Sequence, residues 1–266
     1  MTPVAPASWD DLARECDAWA AQGRAVELWW RDDDAVGDTP ELRRLLALAA
    51  GRAPLALAVI PARLEPSLVG ALAGVSGEIA ALQHGFDHQN RAAPGAKKSE
   101  FPAARPRPEV TEALARGRRR LSEALGARFL PVLTPPWNRF DPAHLTLLGD
   151  LGFRGISSYL ARPAPEAAPG IRRVNTHVDV VDWRAALEGG RRRFLGTGPA
   201  LGLLAAHLAA KRSGMADVLE PTGLLTHHLV HDTETWSFLG DLLDWCAARP
   251  GITWRGAADL FPECGD

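Results

Sequence analysis

The chain has 266 residues, a length that allows one large domain or two small ones, either with a substantial buried core. Hydrophobic residues make up 46% and charged residues 23%, ordinary globular values that exclude a disordered, fibrous or collagen-like chain. Thirty Lys and Arg face 32 Asp and Glu, a formal net charge of -2, so no global positive field draws in nucleic acid or an anionic membrane surface, and neither is expected as a partner.

Cys16, Cys246 and Cys264 form no C-x-x-C pair and no disulfide framework, which fits a reducing compartment. The opening residues MTPVAPASWDDLARECDAWAAQG carry no basic start and no apolar stretch, and no uncharged apolar run approaches about 18 residues. The expectation is a cytoplasmic, non-membrane protein. Nothing in the sequence sets its oligomeric state.

Along the chain, residues 8–21 read as an amphipathic helix capped by Ser8, and Ala25–Trp30 as a buried strand running into Asp32-Asp33-Asp34. A helix over Pro40–Ala50, a strand at Pro54–Ile60, a short helix at Pro66–Leu72 and a strand at Glu78–Gln83 follow, the last leading into His84-Gly85-Phe86-Asp87-His88. Residues 91–108 have no periodicity and read as a long surface loop. Its charged residues Lys97, Lys98 and Glu100 read more simply as solvated than as substrate contacts.

A basic helix Glu109–Leu125 leads to a strand Phe129–Leu133 and then Thr134-Pro135-Pro136-Trp137-Asn138. A helix Pro142–Leu151, a strand Gly155–Tyr159, the segment Ile171–Trp183, a helix Pro199–Lys211, a strand Gly223–Thr226, a helix Glu234–Ala248 and a strand Ile252–Trp254 complete the pattern. About seven βα-like units in one chain fit an α/β fold, a distorted (β/α)7-type barrel, with residues 1–25 supplying a helix packed on a barrel of residues 26–266.

Four polar clusters stand at the C-terminal ends of expected strands: Asp32/Asp33/Asp34, His84/His88, Thr134–Asn138 and His227/His228. In parallel α/β folds that is where sites are built. One carboxylate with two imidazoles can hold a divalent metal and leave positions open for water or substrate, and an Asp with His84 and His88 supplies such a set. Taken alone, the acidic run is as well explained by a solvated turn before the helix opened by Thr39-Pro40. His228 and His231 read as polar packing, and His144, His177 and His207 have no partner motif.

Taken in order, the clusters resemble the motifs of the polysaccharide deacetylases, the NodB-homology or carbohydrate esterase family 4 domain, over about residues 26–260. Trp30-Arg31-Asp32-Asp33-Asp34 resembles T-F-D-D-G. His84-Gly-Phe-Asp-His88 resembles H-x-x-x-H, and Thr134-Pro135-Pro136-Trp137 resembles R-x-P-[YWF] with threonine in place of arginine. Asp179-Val-Val-Asp182-Trp183 resembles D-x-x-D-[WY], and Leu225-Thr226-His227 resembles L-x-H.

The resemblance implies a metal-dependent hydrolase that removes N- or O-acetyl groups from a carbohydrate. It implies Asp32 as general base, Asp33, His84 and His88 as ligands of zinc (cobalt or nickel as alternatives), and His227 as general acid tuned by Asp182. Trp137, Pro135, Trp183 and Leu225 would line the oxyanion site and substrate cleft. A register one residue later, with Asp33 as base and Asp34 as ligand, stays open. So do two rival functions: a hydrolase of a small cytoplasmic amide or sugar conjugate, and a non-catalytic carbohydrate-binding relative lacking the arginine.

Overall fold

The computed structural model describes residues 4–263, so Cys264 lies outside the described residues. The elements are α1 (Trp9–Ala20), β1 (Val26–Ala35), α2 (Pro40–Ala49), β2 (Leu55–Val59), α3 (Pro66–Ala73), β3 (Ile79–His84), α4 (Arg107–Leu125), β4 (Phe129–Thr134) and α5 (Thr146–Asp150). After these come β5 (Gly155–Ile156), β6 (Glu166–Ala168), β7 (Ile171–Arg173), β8 (Val178–Asp179), α6 (Thr197–Arg212), β9 (Thr222–Thr226), α7 (Thr233–Ala247), β10 (Ile252–Trp254) and α8 (Ala257–Leu260).

The strands form one curved sheet in the order β6-β7-β5-β4-β3-β2-β1-β9-β8, with β10 also pairing with β1. All neighbours are parallel except β6 and β7. This is the expected distorted (β/α) barrel, with a sheet that does not close on itself among the described residues.

Local chemistry explains the helix starts. Ser8 and Asp11 form a capping box at α1, and Thr39 and Asp232 accept backbone N–H bonds from Leu42 and Thr235 at α2 and α7. The N-terminal segment is fastened to α6, where Trp19 Nε1 donates to Leu208 O at 3.3 Å and Arg212 grips Glu15.

Strand alternation sorts the core into an outer layer and a barrel interior. Leu28 and Trp30 of β1, Leu55, Leu57 and Val59 of β2 and Ala81 of β3 face the helices, packing with Leu42, Leu45 and Leu239. Trp29, Ala56, Leu82 and Val132 point inward, where Leu260 and Phe261 plug the barrel. Continuing the inward file past Trp29 gives Arg31 and then Asp33; past Leu82 it gives His84; past Gly223 it gives Leu225 and His227. The C-terminal mouth is therefore lined by polar side chains while the base is filled with apolar ones.

Two expected elements come out shorter or divided. The helix expected over Pro142–Leu151 is a 3-10 turn at Pro142–His144 followed by α5, and Ile171–Trp183 splits into β7 and β8. The Pro/Ala stretch before Ile171, which carries no strand signal, supplies the antiparallel edge strand β6.

Candidate active site

The pairing of β1 with β2 slips between Asp32 and Ala35, and Asp34 takes a left-handed backbone with φ 74°. A bulge of this kind re-aims a side chain. Here it brings Asp34 to the same mouth as inward-facing Asp33. Asp34 Oδ1 lies 3.2 Å from His84 Nε2 and 3.3 Å from His88 Nε2.

The tautomer of His84 follows from its other nitrogen. Nδ1 lies 2.9 Å from the Thr134 carbonyl, to which only an N–H can donate, so the neutral ring presents a lone pair at Nε2. That lone pair faces a carboxylate oxygen, and Asp34 Oδ1 is buried without a hydrogen-bond partner. A lone pair facing a carboxylate oxygen, with a second imidazole nitrogen beside them, is an arrangement a divalent cation resolves, and two imidazoles with one carboxylate suit zinc, cobalt or nickel. The residues thus fit a metal.

A second triple, His177, His207 and Glu220, also converges. There the chemistry is opposite. His177 Nδ1 accepts the Gly223 N–H at 2.9 Å, so the ring proton sits on Nε2, pointing at Glu220 Oε2 3.3 Å away and leaving no lone pair for a metal.

The turn that carries His88 is held from beneath by Glu100. Its carboxylate is fully buried and accepts the backbone N–H groups of Phe86, Asp87 and His88 at 3.0, 3.2 and 3.2 Å. Burial, with the Asp87 charge adding to it, pushes the Glu100 carboxyl up to about 7. Glu100 is therefore structural, whereas Lys97 and Lys98 are exposed as expected.

Asp33 is gripped by Arg31: Nε to Oδ1 at 2.8 Å and Nη2 to Oδ2 at 3.0 Å. The remaining guanidinium N–H groups reach Asn138 Oδ1, Ser157 Oγ and the Ser158 carbonyl, so all five donors of a fully buried arginine are used.

On the opposite side stands His227, 9% exposed, its backbone N–H donating to His231 Nε2 and its Nδ1 buried without a partner. The Trp183 ring meets His227 edge-on with centroids 4.7 Å apart, and its Nε1 donates to Asp179 Oδ2 at 2.7 Å. Burial raises the Asp179 carboxyl above its usual range, against the opposing charge of His227 beside it.

No protein-family model matches the sequence, and no curated protein matches it. Solved structures do. A putative polysaccharide deacetylase from Mycobacterium smegmatis superposes with a TM-score of 0.64 at 20% identity, covering 98% of this chain and 93% of that one. The chain has the polysaccharide deacetylase fold. A carbohydrate esterase family 4 enzyme from Streptococcus mutans (TM-score 0.55, 15% identity, 95% and 91% covered) and one from Streptomyces lividans with acetate (0.52, 13%, 86% and 91%) share it.

Within the deacetylase fold, the structure moves several roles implied by the motifs. Asp32, expected as the base, faces outward with Trp30. Its carboxylate is fully buried and accepts from Thr226 Oγ1, His228 N and His228 Nδ1, so no oxygen is open to water. Asp33, expected as a ligand, is committed to Arg31, and Asp34 takes the place beside both histidines. Asp182, expected to tune His227, lies past the end of β8 and pairs with Arg193 at 2.7 Å, while Asp179 is the half-buried acid near His227.

Among the cleft residues, Trp183 is 45% exposed, and Trp137 is half-buried with its ring 4.5 Å from His88. Pro135 and Leu225 are buried and offer no open wall. Trp137 has φ 56°, and its N–H finds no acceptor among the described residues. Thr134 orients His84 through its carbonyl, and Arg31 on β1 grips Asp33. His228 and His231 pack as polar core groups, as expected.

Proposed function

We propose that the protein is a metal-dependent hydrolase that removes an acetyl group from a carbohydrate. The observation that carries this reading is the meeting of Asp34 Oδ1, His84 Nε2 and His88 Nε2 beside an arginine-held Asp33. Asp34, His84 and His88 would hold a divalent ion such as zinc, which would supply Lewis acidity at the substrate carbonyl and lower the pKa of a water.

The chain's own groups do the rest. Asp33 accepts the proton of the attacking water; Arg31 fixes the plane of its carboxylate through two of its lone pairs and leaves the others free. The Trp137 N–H donates to the oxygen on which negative charge develops. His227 gives a proton to the departing amine or alcohol, and half-buried Asp179 supports it until then.

The intact acid and base sides favour catalysis over a binding-only role, since Arg31 supplies the cation that Thr134 cannot. The test is metal content and acetate release from acetylated glucosamine and acetylated xylose substrates. About one transition metal per chain, lost together with acetate release in His84→Ala, supports the reading. Full acetate release without metal overturns it.

A further inference from the structure

A cavity of about 640 Å³ opens beside the candidate active site, beneath residues 92–104. It shares two residues with the Asp33 support, since Asn138 and Ser158 line it and both accept from Arg31. Trp137, next in the chain to the lining residue Asn138, sets its ring 4.5 Å from that of His88. The far wall is apolar, built from Phe101, Phe140, Leu145 and Ile156.

The charges on this cavity are unbalanced. Lys97, Arg139 and Arg173 line it, and no carboxylate forms an ion pair with any of them among the described residues. Asp141, the one acid on the wall, has an oxygen committed to the Ala143 N–H. Arg173 is half-buried, which weakens its hydration, and its guanidinium donates to no residue among the described ones. Glu220, whose charge it feels, already accepts the Arg162 and Asn175 backbone N–H groups. The other large hollow, of about 610 Å³, holds four arginines but also Glu41, Glu188, Asp232 and Glu234, and pairs Arg191 with Glu41. Of these two cavities, the first presents cations unpaired with any acid among the described residues.

We propose that this cavity binds an anionic group of the substrate, a phosphate or a carboxylate, with Arg173 as its principal contact. The protein then acts on a small charged acetylated sugar conjugate in preference to a neutral polysaccharide. This rests on the deacetylase reading for its chemistry, but the recognition itself is measurable without turnover.

The experiment uses the full metal-loaded chain and three probes: N-acetylglucosamine, its 6-phosphate, and N-acetylmuramic acid, which carries a carboxylate. Binding is measured by calorimetry and acetate release by kinetics, for the wild type and for Arg173→Gln. We expect at least one anionic probe to bind about tenfold or more tightly than the neutral sugar, with the advantage shrinking as salt rises. Arg173→Gln should remove that advantage and raise KM for the anionic probe, leaving kcat and the neutral sugar unchanged. Which of the two acidic probes prevails distinguishes phosphate from carboxylate. Equal binding of all three, or an equal effect of Arg173→Gln on all three, overturns the proposal. Selective binding without acetate release from any probe keeps the anion site and defeats the deacetylase reading.

Discussion

Arg31 and Asp33 stand two residues apart on one strand and meet side-on, guanidinium to carboxylate, in the interior of the barrel. Alternation along β1 makes this contact local, so the acid is oriented by its own strand. The expected consequence is that Arg31→Lys, which keeps charge but loses the fork, lowers kcat by about 10²-fold while metal content stays near wild type. Metal analysis beside acetate-release kinetics checks it. Loss of metal in the variant would place Arg31 in the ligand support instead.

The three consecutive aspartates should separate cleanly by substitution. Asp34→Asn is expected to lose metal; Asp33→Asn is expected to keep it and lose about 10²- to 10⁴-fold in kcat. Asp32→Asn removes the partner of a buried His228 and should cost about 3–5 kcal/mol of stability, read from urea midpoints.

Asp179 and Asp182 make a second contrast. Asp179→Asn should lower kcat, read from acetate-release kinetics, because the proposed role of Asp179 is to support His227 as it gives up its proton. Asp182→Asn breaks only a solvent-facing pair with Arg193, so stability should change by about 0.5 kcal/mol or less and kcat should not change.

Glu100→Ala leaves three backbone N–H groups under the His88 turn without an acceptor. Because the turn sets one ligand, metal affinity should fall about 10- to 100-fold while the outer core is untouched. Competition with a metal chelator measures this.

Lys211 gives a pH test remote from the site. It is 2% exposed beneath Trp19, and burial, only partly offset by Glu27 and Glu220, holds its ammonium down to about 8, against 10.5 in the open chain. Between those values the unfolded chain binds a proton that the folded one has released, so stability should rise as pH climbs from about 8 to 10.5. Urea midpoints at about pH 7 and pH 10 should show the rise in wild type and a smaller one in Lys211→Met.

Much of this was legible in the sequence. The alternation of apolar runs and helical segments foretold the barrel, and strand-end placement picked out His84, His88 and His227. The register of the acidic run stayed open in the sequence, and the later one, with Asp34 beside the histidines, is the one the fold favours. Parity puts Arg31 and Asp33 on one face, but two adjacent buried tryptophans, Trp29 and Trp30, do not say which face is inward. The bulge that turns Asp34 inward depends on a positive φ that an aspartate adopts without any mark in the composition. At the second acid pair the same parity was usable: Val178 and Val180 belong to the outer core, which sends Asp179 inward. Glu100 was missed because its role depends on a loop folding back across 12–14 residues.

Beyond catalysis, the file Trp29, Arg31, Asp33 has a meaning for how the chain folds. One strand carries an apolar ring, a cation and an acid at successive inward positions, so sliding β1 by a single residue would offer the barrel Trp30 and Asp32 in place of Arg31 and Asp33. A misregistered molecule would push a bulky ring and a histidine-bound acid into a space shaped for a fork and a carboxylate. Accuracy in threading this strand and competence of the finished site are thereby one and the same selection, made before any ligand arrives.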